Sequence, residues 1–283
     1  MRASARPRLL ARVRCHATEP PVACSGYCAH CQTRHSLPRT PAAEAAAAAL
    51  LARVRSAGRL DFEAAEPDAR FDLATKYRSA ERPRQQGQML GVLLGRRGGE
   101  HLVLKAFSGQ LNNVWEVPGW APPLGTIRHD SSPVYTAAFR RIQHLGAEAQ
   151  AAGAEAAAGS RAEQRAAEAR RLRARSAQRA ISNALLARIW DGYAVTSVGG
   201  RQAKLLEASL LGAGSRGGTG DCCAPKLLAA ARAQGVVPEA MAETWLGSST
   251  PDGQRVEGAF YEACQERCAP LLGFMLCPVP TIT

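Results

Sequence analysis

Gly218-Thr219-Gly220-Asp221-Cys222-Cys223-Ala224-Pro225-Lys226-Leu227-Leu228 opens the stretch whose reading decides the fold, residues 218–277. Asp221 is placed to cap a helix, and Pro225 stands in its first turn, where a missing N–H costs nothing. Leu227, Leu228 and Ala231 then share a helical face, and Gly235 ends the helix. The pattern predicts a strand within 236–245, a loop over 247–258 and a second helix bearing Cys264 and Cys268. Helix, strand and helix in this order read as part of an α+β domain with a small central sheet flanked by helices.

Thiols crowd this stretch. The chain has nine cysteines in 283 residues, and Cys222, Cys223, Cys264, Cys268 and Cys277 all lie after residue 218. An odd, clustered set without a secretory signal points to metal ligation or free thiols rather than to disulfides. On a helix, residues four apart share a face, so Cys264 and Cys268 can hold one ion together. Cys223 or Cys222, at the start of the other helix, makes a third ligand. Three sulfurs leave one position open, as in catalytic zinc; a fourth from Cys277 or the unused member of the Cys222-Cys223 pair closes a structural site. A redox role for Cys222-Cys223 or Cys264-Cys268 requires a thiol of low pKa.

A second group, Cys24-x3-Cys28-x2-Cys31-x3-His35, lies in residues 19–36. Ligands two or three residues apart can both turn inward from a tight loop, so this segment alone can fill a zinc tetrahedron. One or two zinc ions are expected, and spacing leaves open whether the two groups share a site.

Working outward, residues 37–130 carry the rest of the core. An alanine-rich helix is predicted over 41–55, bounded by Gly58. Strands over 89–94 and 102–107 flank a Gly-rich connection and read as a hairpin. The irregular loop beyond it holds Trp115 and Trp120, which need a packing slot or a nucleobase to stack on.

Residues 131–198 form a long helical region that projects as a hairpin of coiled-coil character, with a break in the alanine-glycine tract 147–160. Eight arginines lie between 161 and 188 against Glu163 and Glu168. Arg161, Arg165, Arg170, Arg171, Arg173, Arg175 and Arg179 can lie along a phosphate backbone, each neutralised phosphate releasing a counterion. Residues 199–283 complete the core.

The formal net charge is +12, which points to an anionic partner, most simply RNA. No apolar run reaches the roughly 20 residues of a membrane span. Residues 1–18 hold five arginines and no acid, the composition of a transit peptide, so chloroplast or mitochondrion is expected and the cytoplasm otherwise.

Met89-Leu90-Gly91-Val92-Leu93, Leu104-Lys105-Ala106-Phe107-Ser108-Gly109, the opening stretch, and Phe260-Tyr261-Glu262-Ala263-Cys264-Gln265-Glu266-Arg267-Cys268 with Leu272-Gly273-Phe274-Met275-Leu276 resemble the accessory domain N-terminal to some RluA-type pseudouridine synthases. The resemblance covers roughly residues 32–277 and implies a zinc-binding, RNA-associated accessory protein linked to RNA-modification or ribosome-related machinery. Arg59-Leu60-Asp61 matches the catalytic tripeptide of those synthases but lacks the Thr-Ser-Gly that follows, and reads as coincidence. In element order the chain also looks like the zinc deaminase fold, a three-layer arrangement in which Cys223, Cys264 and Cys268 would stand as ligands. Pro225 then occupies the place of the catalytic Glu, and Glu239 or Glu243 is the substitute candidate for a deaminase-like enzyme acting on a nucleobase or nucleoside.

Overall fold

The computed structural model describes residues 20–74, 87–112, 114–125, 133–157, 160–250 and 252–278. Cys15, His16 and the arginine-rich residues 1–18 lie outside them. A first hairpin joins β1 (Val22–Cys28) to β2 (Thr33–Pro38). Helix α1 (Pro41–Ala57) follows, with Thr40 Oγ accepting the Ala43 N–H at 3.3 Å and Gly58, at φ 67°, returning its N–H to Val54 and Arg55. These caps satisfy backbone groups that a helix end leaves unpaired.

The central sheet is four-stranded and antiparallel throughout, in the order β4 (Glu100–Phe107), β3 (Gly87–Arg97), β7 (Val237–Gly247), β8 (Phe260–Tyr261). Strands β3 (Gly87–Arg97) and β4 (Glu100–Phe107) form the predicted hairpin, extended to a two-residue turn at Gly98 and Gly99, both at positive φ. That turn matches the twist of the strands it joins, which is why two glycines sit there. The long β7 (Val237–Gly247) pairs with β3 over nearly its whole length, and β8 (Phe260–Tyr261) closes the far edge.

Alternation along the strands divides the core in two. Leu90, Val92, Ala240, Ala242 and Leu246 meet Leu50, Leu51 and Val54 of α1 on one face. Leu93, Ala106 and Met241 meet Leu227, Leu228 and Ala231 of α5 (Cys223–Ala233) on the other. The α+β expectation of a small sheet flanked by helices therefore holds, with helix, sheet and helix as three layers. The first hairpin and the C-terminal helix α6 (Ala269–Met275) pack on the α5 side. Cys264 and Cys268 are a correction to the sequence reading: they lie in the turn before α6 rather than on a helix. Cys222 is the N-cap of α5 in place of Asp221, and its side chain makes no capping bond.

Helices α2 (Pro133–Ala156) and α3 (Arg161–Asp191) form the long antiparallel pair. The break falls at the end of the alanine tract, where Ser160 and Glu163 make a capping box. Leu145, Ala149 and Ala174 give the pair its own small core, while Ile189 and Trp190 anchor its base to the main one. A short ribbon, β5 (Ala194–Thr196) with β6 (Gln202–Lys204), and α4 (Leu205–Ala208) return the chain to α5.

Arg59-Leu60-Asp61 is a structural clamp. Buried Asp61 receives Arg59 Nε at 2.6 Å and Nη2 at 2.7 Å, and the Asp68 N–H at 2.9 Å. Burial alone would raise its pKa, but these donors hold it below the usual carboxylate value. Asp61→Ala is expected to cost about 2 kcal/mol at pH 7, since it strands a partly buried N–H and a guanidinium. A depressed folded pKa means the contribution is complete above the unfolded value near 4 and is lost as pH falls through the folded one. Urea denaturation at pH 7 and pH 3 checks this: the gap between wild type and variant should narrow at pH 3, and an equal gap would refute the clamp.

Candidate metal centre

The first hairpin delivers three ligands. Cys28 ends β1, Cys31 lies in the turn, where Gln32 takes φ 55°, and His35 stands in β2 opposite Gly26. The fourth is Cys277, just beyond α6. Cys28, Cys31, His35 and Cys277 hold their ligand atoms within 4.8 Å of one another, and this group could hold a metal ion. Cys31 Sγ lies 3.0 Å from His35 Nε2 and 3.6 Å from Cys277 Sγ. A zinc tetrahedron with sulfur bonds of about 2.3 Å sets its sulfurs about 3.8 Å apart, so the spacing fits without rearrangement. Cys28 and Cys277 are buried, whereas Cys31 and His35 are half-buried. Desolvation would raise the Cys31 thiol, but hydrogen bonds with His35, Cys277, Thr33 and Cys28 bring it down to about 6. A thiol so lowered is a thiolate at neutral pH, the form that binds metal.

Cys24 is not part of this group. The expected Cys24-x3-Cys28 pairing presumes a loop, but the segment is an extended strand, and four residues of strand span roughly 13 Å. Cys24 instead lies opposite Leu37, fully buried in the core.

Two contacts bring Cys277 to the hairpin. Gly273 of α6 and Gly26 of β1 pack backbone to backbone: a Cβ on Gly273 would lie 2.0 Å from Tyr27 O, and one on Gly26 would lie 2.3 Å from Gly273 N. At the end of the helix and just past it, the N–H groups of Val198 and Gly199 bond Met275 O at 2.8 Å and Cys277 O at 3.0 Å.

The other predicted residues fall elsewhere. Cys223 Sγ donates to Met89 O at 3.3 Å and is fully buried. Cys222 exchanges hydrogen bonds with Cys264 and Cys268. The Cys264 bond favours the Cys222 thiolate, but the Cys268 bond and burial outweigh it, so its pKa rises; Cys264 rises through its bond to Cys222 and through burial. Burial raises Cys223 as well. Raised thiols are the reverse of what the redox reading requires.

Glu243 is fully enclosed on the α5 face, its Oε1 accepting the Ala224 N–H at 3.1 Å. Burial lifts its pKa to about 7 against the pull of that N–H and of Arg255. Glu239 sits at a bulge where β7 slips against Leu94 and Gly95, which turns it to the surface beside Arg96 at 2.7 Å. Trp120 is a packing residue: its Nε1 donates to Leu60 O at 3.0 Å and its ring meets Phe62 and Phe107 edge-on. Trp115 is half-buried, with the Lys226 ammonium 6.0 Å from its ring.

Sequence reasoning missed Lys226. Its buried Nζ donates to Phe107 O at 3.0 Å and Gly109 O at 2.8 Å, fixing the start of the tryptophan loop. The signal was a lysine on the apolar side of a helix, between Pro225 and Leu227.

On α3, Arg161, Arg165, Arg173, Arg175 and Arg179 are exposed and form no salt bridge among the described residues. Arg170 pairs with Glu155, and Arg171 with Glu168 at 2.6 Å. None of the helices in the described residues is long and apolar enough to cross a membrane.

Compared with known proteins, the chain matches no family model, no curated protein and no solved structure.

Proposed function

We propose that this protein is a zinc-binding, RNA-associated module in which the metal at Cys28, Cys31, His35 and Cys277 is structural. Three thiolates and an imidazole are a donor set that zinc favours, and four protein ligands leave no position for substrate. The observation that carries the RNA part is the arginine face of α3. Helical spacing puts Arg161, Arg165, Arg175 and Arg179 on one side, opposite buried Ala167 and Ala174; Glu168 shares that side but pairs with Arg171, and the four arginines form no salt bridge among the described residues. A rigid helical pair standing off the core presents that face to a phosphate backbone. An association with RNA-modification machinery rests on the family resemblance and an organelle location on the arginine-rich, acid-free residues 1–18, and both belong to the same proposal.

Replacing Arg161, Arg165, Arg175 and Arg179 together by Gln is expected to reduce the slope of log K against log salt for single-stranded RNA by about 3, at roughly 0.7 per phosphate contact. Filter binding across a salt series measures it. An unchanged slope removes α3 as the contact surface.

The rival reading, a zinc-dependent deaminase-like enzyme acting on a nucleobase or nucleoside, draws on Glu243. A carboxyl with a pKa near neutrality in a buried site is suited to moving protons.

A further inference from the structure

Beside the metal centre the fold leaves a hollow that neither the ion nor the arginine face uses. Its construction begins where α5 ends. Gly235, at φ 67°, takes the left-handed turn that glycine adopts freely, its N–H bonding Arg232 O at 3.2 Å while the Val236 N–H reaches back to Ala231 O at 2.8 Å. This pair of bonds closes the helix, buries Val236 and starts β7 with Val237 facing outward, 66% exposed. Arg232 is left in the last turn of α5.

Leu37 of β2, Val198 from the turn between β5 and β6, Val236 and Leu276 are apolar walls of a cavity of about 360 Å³. That volume lies in the range of small-molecule sites. The walls come from four separate segments, and the Val198 N–H on Met275 O at 2.8 Å ties two of them together, so the shape is set by the fold before any ligand arrives. Ser36 and Pro278 also line the cavity, which therefore backs onto the metal centre at the residues next to His35 and Cys277. Arg232 is the one charged residue among the described residues that line it. Its guanidinium forms no salt bridge among the described residues. Gly200, at φ 93°, leaves it room: a Cβ there would lie 2.9 Å from Arg232 Nη2.

We propose that this cavity binds a small organic acid, an apolar body carrying one carboxylate or sulfonate that pairs with Arg232. The walls favour a body without polar groups, and burial of that body supplies the affinity. A guanidinium with no carboxylate beside it among the lining residues calls for an anion, and its planar fork can take both oxygens of one acid group. A single cation among apolar walls selects one acid group over a polyphosphate, so the occupant differs in kind from the RNA proposed for α3. This inference is independent of the RNA reading.

The test is a fluorescence titration of the reduced, zinc-loaded full-length chain with anilinonaphthalene sulfonate, which carries an acid group on an aromatic body, and with phenylnaphthylamine, its uncharged counterpart. Saturable binding of the sulfonate at about one equivalent is expected, with displacement by naphthoate. Arg232→Gln should weaken the sulfonate about fivefold and leave the uncharged probe unchanged. Val237→Trp, at an exposed position, should obstruct the cavity and block both probes while the melting temperature holds. Sulfonate binding that both variants leave intact lies elsewhere on the protein and overturns the site, as does the absence of saturable binding. An equal loss of both probes in Arg232→Gln also overturns it, because the arginine would then be part of the wall and not the partner of an anion.

Discussion

Stripping the metal from the Cys28, Cys31, His35 and Cys277 centre is expected to lower stability by about 4 kcal/mol when free zinc had stood near a thousandfold above its Kd. For a chain of this size that is a fall in Tm of roughly 7 °C. The ion would bond the turn between β1 and β2 to the segment just beyond α6, adding to the packing of Gly273 on Gly26. Without it, three sulfurs and an imidazole converge with no cation between them, next to the Cys31 contacts with His35 and Cys277. Cys277→Ser should reproduce the loss without chelator, and Cys24→Ser should leave metal content unchanged. Differential scanning calorimetry with zinc add-back measures the effect. An unchanged melting temperature in protein shown to be metal-free would mean that the ion is not a staple.

Gly273→Ala is expected to cost about 3 kcal/mol or more, at or above the upper end for overpacking. Most added methyl groups are accommodated by a neighbouring side chain swinging aside. Here the obstacle is backbone, the Tyr27 carbonyl at 2.0 Å, and it can yield only if α6 lifts from β1. That movement carries Cys277 away from Cys28, so metal affinity should fall at least tenfold, or about 1.4 kcal/mol. Gly26→Ala meets the same helix from the other side and should give a similar, non-additive loss. Equilibrium unfolding with and without zinc separates the packing and metal components. A Gly273→Ala protein of wild-type stability and affinity would show that the two backbones have room to part.

Much of the core was legible because its signals are local. The alternation in β3 and β4 and the Gly98-Gly99 turn announced a hairpin, and Thr40 to Gly58 framed α1 with a cap at each end. Cys28, Cys31 and His35 also declared themselves through short spacing. Their fourth partner did not, because Cys277 reaches them by tertiary packing of glycines whose role is invisible until the two backbones are seen together. Cys24 misled for the opposite reason: spacing suited to a tight loop lay in an extended strand. Cys264 and Cys268 carry helical spacing, yet Pro270 belongs to the first turn of a helix that begins only at Ala269, so both precede it. Glu243 could be named but not placed. Its burial follows from the pairing of β7 between β3 and β8, a long-range fact.

Cys31 and Cys277 lie 246 residues apart, so their centre encloses nearly the whole described chain in one loop. During synthesis Cys28, Cys31 and His35 emerge early and wait as a three-ligand fragment, while the sheet, the helical pair and α5 are still being made. The last ligand arrives only after α6 has settled on β1. Closing so long a loop has a large entropic cost unless the intervening elements have already folded and shortened it. On the proposed reading, metal capture at this centre would come late in assembly, and a bound ion would mark a chain in which α6 has already settled on β1.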